Sequence, residues 1–192
     1  MIPARRAIVV WLYIGCLLIA LLVTVGGVTR LTGSGLSITE WDVLMGALPP
    51  LSAEAWQELW QKYQATPQYQ QVNAGFTLAQ FQTIFWWEYV HRLLARLLGV
   101  VFLVPFLWFL VRGYLDRPLR NRVLLLFALG AFQGLLGWLM VASGLVDRPS
   151  VSHFRLAAHL MTALLTFSVT LWTALETEEP APSGARGRKD GR

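Results

Sequence analysis

Cysteine is nearly absent. Cys16 is the single thiol in 192 residues, so no disulfide and no thiol pair can form within the chain. Charge is scarce too: 14% of residues are charged against 55% hydrophobic, with a mean hydropathy of +0.50. A soluble domain carries about 25% charged residues, and this shortage of surface charge excludes one. Acids are scarcest within the long apolar runs, where Glu88 is the only carboxylate. Cys16 lies in the middle of the first run, where a buried packing thiol is its expected role.

What the chain has instead is apolar length. Residues 8–28, 85–111, 123–142 and 154–175 each meet the requirement of about 20 apolar residues for a spanning helix. The expectation is an all-α polytopic membrane protein, a four-transmembrane-helix bundle with a structured extracytoplasmic loop over about residues 29–80. Residues 1–175 form one domain on this reading. After Leu175 the composition turns to Glu, Pro, Gly and basic residues, so 176–192 read as a disordered cytoplasmic tail.

Orientation follows from where the basic residues fall, because short cytoplasmic loops are enriched in Lys and Arg. Arg5, Arg6, Arg112, Arg117, Arg120, Arg122, Arg186, Arg188, Lys189 and Arg192 share one side, whereas Arg30, Lys62 and Arg148 lie on the other. Both termini are therefore expected in the cytoplasm, as in a multi-pass protein of the cell inner membrane. The net charge of +5 reports this topology rather than nucleic-acid binding. Arg5 and Arg6 before an apolar stretch imitate a signal peptide, but no small-x-small cleavage site closes the stretch, which is expected to remain as an anchor.

In the loop, Thr32-Gly33-Ser34-Gly35 and Pro49-Pro50 are turn signals. Ser52 is placed to cap a short helix bearing Trp56, Leu59, Trp60 and Tyr63 on one face. That face suits the membrane interface or the bundle mouth. Trp41, Trp56, Trp60, Trp86 and Trp87 gather at this level as an aromatic belt or as a lid over a cofactor. Gly130, Gly134 and Gly137 give the third span a smooth face suited to close helix packing. Pro105 is expected to kink the second span.

Ionisable groups inside lipid are expensive and mark function. Two such clusters occur, Glu88-Tyr89-Val90-His91-Arg92 and His153-Phe154-Arg155-Leu156-Ala157-Ala158-His159. With the N-terminus inside, spans two and four run in the same direction. His91 then lies about 31 Å above Arg112 and His159 about 25 Å above Glu176, at 1.5 Å per residue. Facing imidazoles on two helices of a bundle are a usual means of holding haem iron from both sides, so His91 and His159 are the candidate metal ligands. The plain alternative is a hydrogen-bonded structural histidine.

Neighbours suit a flat macrocycle: Ala95 and Gly99 follow His91 at four and eight residues, and Ala158 and Ala163 flank His159. Arg155, one turn outward of His159, is placed to pair with a haem propionate, and Arg92 is a second candidate cofactor contact. His153 falls on a different face of its helix, with an interfacial role as its default. Glu88 shares a face with His91, where a carboxylate can orient the imidazole, handle protons or stabilise developing positive charge. Its alternative is an ion pair with Arg92. One Glu-x-x-His copy with no further acid in the spans does not make a di-iron site.

At these residues the chain resembles the heme A synthase family, specifically its proteobacterial and mitochondrial-type branch. The matching segments are Gly26-Gly27-Val28-Thr29-Arg30-Leu31-Thr32, Ser34-Gly35-Leu36-Ser37, Glu40-Trp41, Pro49-Pro50, Glu88-Tyr89-Val90-His91-Arg92, Gln133-Gly134-Leu135-Leu136-Gly137-Trp138 and Arg155-Leu156-Ala157-Ala158-His159-Leu160. The resemblance implies oxidation of a methyl substituent of haem O to the formyl group of haem A, with His91 and His159 as axial ligands and Glu88 essential to the oxidation. It also implies partners: the lipid bilayer, haem O, a haem O synthase and an electron acceptor. Usual members have eight spans in two halves, the second holding a b-type haem on its own histidine pair. This chain matches the N-terminal half, so either it is a fragment of such a protein, or a homo-oligomer or a second half-chain supplies the missing half. The alternatives are a non-catalytic haem carrier, a b-type cytochrome module, or an inactive half of a split synthase.

Overall fold

The computed structural model describes residues 3–40, 47–145 and 149–179. Trp41, Arg148 and the tail beyond residue 179 lie outside the described residues, and so do the expectations placed on them. Among the described residues six α-helices account for the architecture: α1 (Pro3–Leu31), α2 (Ala53–Gln64), α3 (Pro67–Gln71), α4 (Leu78–Val111), α5 (Arg117–Leu145) and α6 (His153–Glu178). Helices α1, α4, α5 and α6 are long and apolar enough to cross a membrane, so the chain is the all-α, polytopic bundle that its apolar runs predict.

Each spanning helix outruns its apolar stretch, and local chemistry sets the ends. Helix α1 stops at Gly33, whose φ of 66° lets the Ser34 amide bond Thr29 O (2.9 Å) and the Gly33 amide bond Arg30 O (3.2 Å). Helix α4 ends the same way, with Gly113 at φ 66° and the Tyr114 amide on Phe109 O (2.9 Å). At its start Thr77 and Gln80 form a reciprocal capping box, which begins the helix at Leu78 rather than near Phe85. Asp116 Oδ1 accepts from the Leu119 amide at the head of α5. Helix α6 runs to Glu178, so residues 176–178 belong to the helix and not to the tail.

Helix α1 packs between α4 and α6, and α5 packs on α6. The order around the bundle is α4, α1, α6, α5, with α4 and α6 across from one another. The half nearer the termini holds an apolar core of Ile8, Trp11, Leu12, Phe102, Phe106, Phe109, Val123, Leu126 and Ala174. Trp11 anchors it, stacking near Phe102 and Phe109 and donating its indole N–H to Val101 O at 2.8 Å. At the opposite, loop end a second cluster joins Tyr63, Phe81, Ile84, Phe85 and Tyr89. The level between these two clusters carries the histidines.

Candidate functional site

His91 on α4 and His159 on α6 each lean on the helix next to their own. A β-carbon built on Gly26 of α1 would lie 2.9 Å from His91 Cε1 and 3.4 Å from its Nδ1. One built on Gly137 of α5 would lie 3.3 Å from His159 Cε1 and 3.9 Å from its Nδ1. Thus the glycine at each contact lets an imidazole approach the neighbouring helix backbone. Gly130 and Gly134, by contrast, have no atom within 4 Å of such a β-carbon. The packing expected of the glycine series on α5 is realised only at Gly137, and against a histidine rather than a helix.

Three buried polar atoms at this level form no hydrogen bond: Nδ1 of His91, Nδ1 of His159 and Oε1 of Gln133. Buried polar atoms without partners are uncommon and call for an explanation. An open slot lies beside them. On α4 the stripe Ala95, Gly99, Phe102, Phe106 continues downward from His91, and on α5 Phe127, Gly130 and Gly134 follow a similar stripe. Near the termini the slot is closed by Phe127 against Phe102 (6.2 Å between ring centroids) and Phe106 (5.1 Å). Toward the loop end Ala95, Gly99, Gly130 and Gly134 are exposed, and a β-carbon on any of these glycines would meet open space. Two imidazole donors beside small residues, at a seam where α4 and α5 barely touch, fit a porphyrin.

Glu88 is buried, 3% exposed, yet its carboxylate is saturated. Oε2 accepts from the Ser37 amide (2.8 Å), the Ser37 hydroxyl (2.7 Å) and the Ile38 amide (2.9 Å). Oε1 accepts from Arg92 Nη2 at 2.6 Å. Arg92 also donates to Glu40 O (2.9 Å) and Ile38 O (3.0 Å). The ion pair foreseen as the alternative for Glu88 is therefore present, and its hydrogen bonds go to residues 37–38 and Arg92 rather than to the imidazole. Arg155 is exposed and donates to Leu139 O of α5 at 2.5 Å. His153 is exposed at the head of α6.

These contacts reveal a strap that the sequence reading missed. The Leu36 side chain is 2% exposed and fills a notch where a β-carbon on Gly144 of α5 would come within 2.7 Å of Leu36 Cδ2. With Ser37 and Ile38 held by Glu88, residues 34–38 cross the bundle mouth from α1 to α5 and α4. The available signal was the Ser34-Gly35-Leu36-Ser37 match itself. Beyond the strap, the aromatic face of α2 packs on the start of α4: Trp56 meets Phe85 at 4.9 Å, Trp60 meets Phe81 at 5.3 Å, and Tyr63 stacks on Phe81 at 5.0 Å between ring centroids. Trp86 touches this cluster yet remains 42% exposed, and Trp87 is 39% exposed. Lys62 bridges Glu40 (2.8 Å) and Glu58 (2.7 Å), and the hydrogen bonds it donates to those carboxylates push its ammonium up to about 12.

A cleft of about 530 Å³ opens at the other end of the bundle among Arg5, Tyr114, Asp116, Arg122 and Glu176. Its cations are engaged, Arg5 with the carbonyls of Thr177 and Glu179 and Arg122 with the Glu176 carboxylate. Cys16 is buried in α1, as expected.

Residues 9–192 match the COX15-CtaA family profile, described as cytochrome oxidase assembly protein. Heme A synthase of Nitrosospira multiformis is 52% identical over 188 residues, covering 95% of this chain and 53% of its own. That of a Bradyrhizobium species is 58% identical over 175 residues (90% and 48%), and that of Flavobacterium psychrophilum 45% over 178 residues (92% and 52%). The chain spans about half the length of these curated relatives. No solved structure matches it. With four spanning helices, a mouth strap and a matched profile over nearly its whole length, the chain belongs to the COX15-CtaA family of cytochrome oxidase assembly proteins.

Proposed function

We propose that this chain carries the substrate site of heme A synthesis, holding haem O between His91 and His159 while one of its methyl groups is oxidised to a formyl group. The observation that carries the reading is the histidine pair. Two imidazoles stand on helices across one bundle, each with a buried Nδ1 and each leaning on its own neighbouring helix, His91 on α1 and His159 on α5, beside a seam lined by small residues. Ligation requires an unprotonated ring nitrogen, and burial of Nδ1 reserves Nε2 for that task. Haem iron bound there would be the centre at which oxidising equivalents are delivered. The chain's residues exclude water, orient the macrocycle and hold charge.

Glu88 is proposed as essential to the oxidation. Its carboxylate, met by Arg92 and three donors from the strap, stands one turn outward of His91 and favours positive charge developing nearby. Arg92 and Arg155 flank the slot at the end where propionates would meet water. Electrons leave to an acceptor outside this chain, and the b-type haem belongs to a second half or a partner copy. The basic residues of the α4–α5 turn support an inner-membrane location with cytoplasmic termini. The relatives are named heme A synthases, which favours oxidation over carriage. The test is to purify the protein with its pigment and identify the extracted haem chromatographically: haem O, a hydroxylated intermediate or haem A supports the reading, and haem B alone overturns it in favour of a cytochrome.

A further inference from the structure

Both histidines meet their neighbours in one pattern. His91 touches the Gly26 position of α1, and its ring interacts with the main chain of Leu22, four residues earlier. His159 touches the Gly137 position of α5, and its ring interacts with the main chain of Gln133, again four residues earlier. The geometry has a simple origin. A helical side chain covers the turn N-terminal to its own Cα, so glycine uncovers the carbonyl four residues back. That carbonyl already accepts one helix bond but keeps a second lone pair. In both rings Cε1 is the atom nearest the glycine and Nδ1 the next, and in both Nδ1 is buried without a formed hydrogen bond.

We propose that Gly26 and Gly137 are positioning residues that seat the two imidazoles, exposing the carbonyls of Leu22 and Gln133 as acceptors for Nδ1–H so that Nε2 of each ring is fixed toward the iron. This rests on the histidine pair binding haem and extends it to two residues that touch no substrate. An acceptor on the far nitrogen sets both tautomer and ring rotation of a ligating histidine. Helices α1 and α4 supply one seat and ligand, α5 and α6 the other, so the two axial positions are built alike. A methyl at either glycine pushes the ring off its carbonyl, more severely at Gly26, where the contact is 2.9 Å, than at Gly137, where it is 3.3 Å.

The molecule supplies its own control. Gly27 is the neighbour of Gly26 in the same motif and lies outside the slot, and a β-carbon there would meet nothing within 4 Å. All three glycine-to-alanine changes favour helix formation, so weakening of the helices does not confound them. The test compares G26A, G137A and G27A, purified with pigment, by haem content per protein, electron paramagnetic resonance of the ferric haem, and helicity by circular dichroism. G26A and G137A are expected to keep helicity but to shift the low-spin g-values or lose haem several-fold, G26A the more, while G27A matches the parent. Parental spectra and haem content in G26A and G137A, or equal damage in G27A, would overturn the seat while leaving the ligands standing. A parent without a two-imidazole spectrum would overturn both.

Discussion

A carboxylate at the level of lipid is tolerated only when its charge is met, and Glu88 has four donors arranged around two oxygens. Hydrogen bonds to a charged group contribute about 1.5–3 kcal/mol each, and removing one partner of a buried pair costs about 3–5 kcal/mol. Glu88→Ala therefore takes from Arg92 its carboxylate but leaves it the Glu40 and Ile38 carbonyls, deprives the Ser37 and Ile38 amides of their acceptor and should loosen the strap, whereas Glu88→Gln keeps an acceptor oxygen for the strap. Haem extraction and chromatography should find haem retained in Glu88→Gln but conversion stopped; full turnover would reduce Glu88 to a latch. The sequence made Glu88 conspicuous through its spacing from His91. It did not reveal Ser37, because a partner 51 residues away leaves no local periodicity. The glycines were ambiguous for a similar reason: Gly134 and Gly137 share one motif, and only the neighbouring helix distinguishes them.

Among elements, the spans were legible because lipid demands a fixed apolar length, while their ends were not, since caps such as Thr77 with Gln80 extend helices beyond lipid. The α2 face was legible as amphipathic, but its partner, the first turns of α4, reads as part of a membrane span. Phe81 is fully buried at the centre of this contact, so Phe81→Ala should cost about 3–5 kcal/mol. Limited proteolysis should then cut the loop faster with the spans intact. Gly144→Ala forces Leu36 from its notch, at about 1–3 kcal/mol for overpacking, and should likewise speed cleavage. The Lys62 pairs add a pH dependence. Its folded pKa of about 12 lies above the unfolded value of about 10.4, so its contribution is complete below that value and lost as pH rises through about 12. Glu58, held below the usual carboxylate range by Lys62, contributes above about 4.3 and loses this on acidification. Loop protection measured by hydrogen exchange should be level between these limits and fall outside them.

At the scale of the whole molecule, two antiparallel helix pairs, α1 with α4 and α5 with α6, each bring one histidine to a shared level between an apolar core and an aromatic cap. Counting residues along parallel spans gave the histidines heights within about 6 Å of one another. The strap over the mouth and the open α4/α5 slot were not readable in this way, since both arise from which helices become neighbours. The central claim is that one iron porphyrin is gripped from both sides by His91 and His159. Electron paramagnetic resonance of the ferric pigment tests it most directly, in the parent protein and in His91→Ala and His159→Ala. The account predicts a low-spin, two-imidazole signal in the parent and its loss in each variant; a parental signal surviving either substitution would contradict it.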